Sequence, residues 1–210
     1  MRARGPAVAL ALLAVALSTA TSGCFRRQFP ERRQFILSAD RTAPVRGAST
    51  VVIKVGRVRA EPQYERKAFV YRTGDATYTD DFYNTFYVSP AQMTRSTLQQ
   101  WLAESGMFAT VADVDSLVAA DWLLESRLID FYVDRRSAES DRAVVRLAMT
   151  VVDGDHSPSR ALLERVYEET ELAEGSRGDD YVRAWSGALS KIYTALETDL
   201  ADLLSQHRGR

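Results

Sequence analysis

The chain has 210 residues, a formal net charge of -1, 46% hydrophobic and 26% charged residues. That balance suits one globular core or two small ones, and it excludes a disordered polyanion, a collagen-like repeat and a strongly basic nucleic-acid binder. One cysteine excludes an internal disulfide, and of the 27 basic residues only Lys54, Lys67 and Lys191 are lysines, with the arginines scattered rather than gathered in a stripe.

The amino terminus reads as an address. Arg2 and Arg4 precede an uninterrupted apolar run over residues 7–17. Eleven residues at about 1.5 Å each span only about half of a ~30 Å hydrocarbon core, so the run fits a secretory signal peptide and not a membrane span. Small residues follow from Ser18 to Gly23, and then comes Cys24. Leu17, Ser22, Gly23 and Cys24 resemble a bacterial lipobox, although Thr21 stands where an apolar residue is usual. The expectation is a signal peptide over 1–23, cleavage between Gly23 and Cys24, and a lipid thioether on Cys24. An ordinary signal peptide with Cys24 incidental is the plainer alternative; a lone cysteine directly after a small pair favours lipidation. Two or more acyl chains anchor a protein stably where one does not. Phe25 in place of an aspartate resembles sorting to the outer membrane, with the domain facing the periplasm.

Residues 24–33 read as a lipidated tether carrying Arg26, Arg27, Arg32 and Arg33. Those arginines either attract anionic headgroups or only solubilise the linker. Strands are predicted next over 34–38, 49–58, 67–72 and 81–88, on alternation and β-branched or aromatic content. Val51, Ile53 and Val55 fall on one face of the second. The period then changes. Ser89, Pro90 and Gln92 supply an N-cap, a first-turn proline and a capping-box partner, and Gly106 supplies a stop, giving a helix over about 90–105.

Strands return over 121–133, 142–152 and 159–170. In the first, Leu124 and Leu128 share one phase while Ile129, Phe131 and Val133 share the other, which predicts a bulge. In the second, Ala143, Val145, Leu147, Met149 and Val151 share a face, and Asp153 with Gly154 makes a turn. The last pattern is a helix over about 180–206, with Trp185, Leu189, Ile192, Tyr193, Leu196 and Leu200 in its apolar stripe. Core packing on a sheet explains that stripe best; a coiled coil with a partner is the alternative. Residues 207–210 read as a tail. The fold class is α+β: one domain over 34–206, with a mixed, mainly antiparallel sheet packed by two main helices.

No motif carries chemistry. His156 sits in a turn and His207 in the tail, neither with metal-ligand spacing, and there is no P-loop or nucleophile elbow. The adjacent pairs Asp80/Asp81, Glu168/Glu169 and Asp179/Asp180 would face opposite ways on a strand, so they read as solvated edges or a helix start. The expectation is no catalytic residue, no metal, no cofactor and no enzymatic activity. The aromatic strand offers a candidate contact instead. In a regular strand Phe82, Asn84 and Phe86 would face the core, and Tyr83, Thr85 and Tyr87 would face outward. Tyr83 and Tyr87 are therefore candidates for a partner interface, unless the row merely supports cross-strand pairing.

Residues 60–66 (AEPQYER), followed by Phe69, Val70, Tyr71 and Arg72, resemble the ABC-type transport auxiliary lipoprotein family. Phe86, Tyr87 and Pro90 match its aromatic strand and proline-started helix. Asp121, Trp122, Leu123, Leu124 and Glu125, with Phe131, resemble its next strand, and Arg165, Val166 and Tyr167 the strand before its final helix. The resemblance implies a non-enzymatic part of a lipid-trafficking machine, partnered by ABC transporter components or a mammalian-cell-entry (MCE) domain protein. It also implies possible homo-oligomerisation. An outer-membrane assembly or exporter-accessory lipoprotein without lipid handling is the alternative.

Overall fold

The computed structural model describes residues 31–154 and 160–208. The signal peptide, Gly23, Cys24, most of the tether and His156 lie outside the described residues. Strand β1 (Arg33–Phe35) leads to β2 (Val52–Ala60), a 3-10 turn at Pro62–Tyr64, β3 (Ala68–Arg72) and β4 (Tyr78–Phe86). Helix α1 (Pro90–Ser105) follows, then β5 (Thr110–Asp113), β6 (Trp122–Asp134), β7 (Arg142–Asp153), β8 (Arg160–Leu172) and helix α2 (Gly178–Arg208). All belong to one compact unit beginning at Arg32.

Both ends of α1 follow from its sequence. The Ser89 hydroxyl accepts from the Gln92 N–H while the Gln92 side chain accepts from the Ser89 N–H, closing the capping box. Gly106 ends the helix at φ 65°, where a side chain is disfavoured. A Cβ there would also stand 2.5 Å from Val45 Cγ1.

The eight strands form one sheet whose centre is β6. Along one side β6 pairs antiparallel with β7 over its whole length, and β7 pairs antiparallel with β8. Along the other side it has two parallel partners in succession. Residues 53–60 of β2 lie against 122–128, and Tyr71 and Arg72 of β3 lie against Val133 and Asp134. The sheet therefore forks into an arm of β2 and β5, paired parallel, and an arm of β3, β4 and β1. The longest ladders are antiparallel, and the parallel pairs are short.

The fork falls where the sequence slips phase. The β6–β7 register shifts between Leu128 and Asp130, so Ile129 is passed over, and Leu124, Leu128, Phe131 and Val133 all reach the core. The Glu61 N–H donates to the Leu128 carbonyl at the same point, which starts the 3-10 turn that carries the chain from one arm to the other.

Both helices cover one face of the sheet. All five alternate apolar residues of β7 are fully buried beneath it. Trp185 of α2 stacks on Phe131 at 4.9 Å and meets Phe69 edge-on at 5.0 Å, joining the helix to the far arm. Leu189, Ile192, Tyr193, Leu196 and Leu200 are equally buried, so the stripe is core. Glu197 on the same helix accepts from Arg41, Arg46 and the Trp101 indole, pinning the β1–β2 loop between the helices.

Four expectations need correction. A four-residue strand, β5, lies where none was predicted. The last helix runs to Arg208, so His207 is helical and packs edge-on against Trp122 at 5.8 Å, not in a tail. Arg33, assigned to the tether, is the first residue of β1. The fourth departure is in β4, and it shapes the site below.

Candidate functional site

The β3–β4 ladder is broken in one place. Ala68 pairs with Thr85, yet Val70 pairs with Asp80, so one residue on β3 spans four on β4. Residues 81–84 bulge outward. The cause is local. Oδ1 of Asp81 accepts from the backbone N–H groups of Tyr83 at 2.7 Å and Asn84 at 3.0 Å. Its Oδ2 accepts from the Asn84 amide at 2.7 Å and the Tyr71 hydroxyl at 2.6 Å. An aspartate that captures N–H groups two and three residues ahead replaces ladder bonds with a turn.

The electrostatics match this role. Burial pushes the Asp81 carboxyl upward, but the hydrogen bonds from Tyr71, Asn84 and the backbone outweigh it and hold it below its ordinary value. Burial raises the Tyr71 phenol, and donation to the Asp81 carboxylate raises it further. Asp81 is therefore neither a solvated edge nor half of an acid/base pair. It is the post of the bulge.

The bulge overturns the predicted alternation. Phe82, expected in the core, is 73% exposed. Thr85, expected outward, is buried beside Phe86. Tyr83 and Tyr87 are both exposed, as the outward row requires, but a buried Thr85 separates them, so they do not form the regular face the strand pattern implies. Tyr83 instead packs edge-on against Phe82 at 5.3 Å. The Arg32 guanidinium lies 5.9 Å from the Phe82 ring centre. Tyr87 closes the far end: its N–H donates to the Phe35 carbonyl, and its own carbonyl accepts from Lys67. Ile36, directly after β1, is also exposed.

Strand β1 completes this edge. It pairs parallel with β4, with Arg33 opposite Asn84 and Phe35 opposite Phe86. Arg33 is tied to Asp179 at the start of α2 at 2.9 Å. Gly178 lets α2 begin against the strands, since a Cβ there would stand 2.5 Å from the Phe35 ring and 2.9 Å from Asn84 Oδ1. Sequence reasoning missed Phe82 and Ile36 as surface residues. The detectable signal was Asp81 followed at three by Asn84, a turn signature inside an apparent strand.

A second feature lies on the face away from the helices. Arg165 and Tyr167 of β8 reach Asp199 on α2, so the neighbouring Glu164 points to the opposite face. There a trough of about 800 Å³ is lined by Gly56, Arg57, Glu125, Arg127, Ala148 and Glu164, among others. Among the described residues no group of His, Cys, Asp and Glu could hold a metal ion, and no helix is long and apolar enough to cross a membrane.

The fold is thus a single α+β domain with a helical face, an open charged trough and an aromatic edge at its first strand. The chain belongs to the family of ABC-type transport auxiliary lipoprotein components, which matches residues 35–197, from the end of β1 to Glu197. The match agrees with the resemblance read from the sequence. A Xanthomonas campestris protein of the DUF330 family has a similar structure, with a TM-score of 0.68 and 14% identity, covering 86% of this chain and 98% of that one. A hypothetical protein from Chlamydia trachomatis is similar at a TM-score of 0.51 and 8% identity, over 74% of this chain and 98% of that one. At such identities the likeness is one of fold. No curated protein matches the chain.

Proposed function

We propose that this protein is a lipid-anchored, non-enzymatic auxiliary component of an ABC transport system, held at the outer membrane and facing the periplasm. The observation that carries this reading is the family match over almost the whole folded domain. Cys24 is the lipidated residue of the proposal, with cleavage after Gly23. The finer role is lipid trafficking between membranes, with an MCE-domain protein or the transporter itself as partner, and with homo-oligomerisation of the domain. It is supported by the resemblance of residues 60–72 and 121–131 to the lipoprotein of such systems.

Two measurements test it. Cys24→Ala should abolish metabolic acyl labelling and either release the protein from membranes or leave unprocessed precursor; unchanged labelling removes the anchor assignment. Crosslinking of the intact lipoprotein in cells, followed by mass spectrometry, should recover transporter or MCE-domain components. Recovery of a polysaccharide exporter or a β-barrel assembly factor instead would replace lipid trafficking with the accessory role.

A further inference from the structure

Ten large hydrophobic side chains are exposed among the described residues, and four of them, Ile36, Phe82, Tyr83 and Tyr87, sit where β4 pairs with β1 or directly beside it. The placement of Phe82 is not a loose end of chain. The carboxylate of Asp81 holds the bulge with four hydrogen bonds, two of them from side chains of Tyr71 and Asn84. The protein thus spends an ordered carboxylate on turning a phenylalanine out into solvent.

This edge is also where the chain enters the domain. Eight peptide steps separate Cys24 from Arg32, and at about 3.3–3.6 Å per residue they reach at most about 29 Å. A bilayer holding acylated Cys24 therefore lies within that distance of Arg32. Arg32 is the residue whose guanidinium lies over the Phe82 ring. Tyrosine concentrates at the membrane–water interface, phenylalanine adds apolar area to segments that lie in it, and arginines close to a charged surface are drawn to anionic headgroups. Arg26 and Arg27 add positive charge on the same short tether.

We infer that the β1–β4 edge is a membrane-contact surface, in which Phe82 and Tyr83 enter the headgroup region of the bilayer beside Arg32 and fix how the domain stands on the membrane. The inference rests on the proposed lipidation of Cys24 and goes beyond it, because an anchor at Cys24 accounts for attachment and not for which surface of the domain meets the bilayer. Ile36 and Tyr87 border the contact at the other end of the edge. The bilayer replaces a protein partner as the occupant of Tyr83.

The test uses full-length protein processed in cells, purified and reconstituted into vesicles of phosphatidylethanolamine and phosphatidylglycerol with brominated acyl chains. The native tryptophans, Trp101, Trp122 and Trp185, are all buried and give a constant background. Phe82→Trp places a reporter in the contact. Leu117→Trp places one at a fully exposed site in the loop after β5, on the other arm of the sheet. Phe82→Trp should lose emission in brominated relative to ordinary vesicles, and Leu117→Trp should not. Mass spectrometry of the amino-terminal peptide reports acylation of Cys24 independently. Acylated protein whose Phe82→Trp emission ignores the bromines overturns the membrane contact and leaves the anchor intact. So does a reporter shielded from aqueous quencher only when other envelope proteins are present, which would mark a protein interface. Unmodified Cys24 with quenching preserved would remove the anchor reading while upholding the contact; unmodified Cys24 without quenching would remove both.

Discussion

Glu197 shows how one residue can hold several elements. The residue is 2% exposed. It accepts two hydrogen bonds from Arg41 at 2.9 Å, one from Arg46 at 2.8 Å and one from the Trp101 indole at 3.0 Å. Burial by itself would raise its pKa, but the two guanidinium groups and the indole overcome that and hold it below the ordinary glutamate value. A carboxyl whose folded pKa is depressed stabilises the fold above its unfolded value of about 4.3, and that stabilisation is lost as pH falls through the lower folded value. Acid should therefore weaken the domain as Glu197 protonates. Glu197→Gln should remove this share of the pH dependence and leave the buried Arg41 side chain without its anion. Breaking a buried pair in that way costs about 3–5 kcal/mol. Urea unfolding of both proteins at pH 7 and at pH 4 checks it: the variant should be much weaker at pH 7, with the gap narrowing at pH 4. The sequence shows Glu197 only as one polar position in a helix, because its partners lie roughly a hundred and more residues away.

At the scale of elements, α2 is the clearest in sequence and the most deeply used. Leu189 is fully buried within it. Leu189→Ala should lower unfolding stability by about 2–5 kcal/mol. A nearly unchanged denaturation midpoint, with self-association lost instead, would make this helix an interface. Gly106 is the other position where local chemistry decides. Its left-handed φ and its closeness to Val45 predict that Gly106→Ala costs at least about 1 kcal/mol, measured as a lower melting temperature. Cap, stripe and stop were all legible because helix signals are local. Strand β4 was half legible. Its aromatic content marked a strand, but period-two reasoning assumes an unbroken ladder, and the Asp81 turn breaks it. Strand β5 was not legible, because four residues carry too short a pattern to stand out.

Across the whole molecule, the forked sheet distributes stability unevenly. The β6–β7 ladder runs twelve pairs under the helices, while β1 contributes three and β5 four. Native-state amide exchange should follow this ranking, slowest at Leu124, Leu147 and Met149 and fastest in β1 and β5. Uniform protection across all eight strands would contradict the fork. A less stable β1 also suits its place between the tether and the domain, where the edge carrying Phe82 and Tyr83 must meet whatever lies outside.

The sequence by itself determined the α+β class, the positions of both long helices, seven of the eight strands and the slip at Ile129. These rest on periodicity, capping and turn chemistry among residues close together in the chain. The tertiary structure alone decided that β6 takes two parallel partners on one side, that Glu197 draws in Arg41, Arg46 and Trp101, and that Asp81 expels Phe82 to the surface. Each of those depends on which distant groups meet. Strand pairing and hydrogen bonds across long chain separations leave no period in the sequence, so an aromatic in a strand reads as core until its neighbours are known.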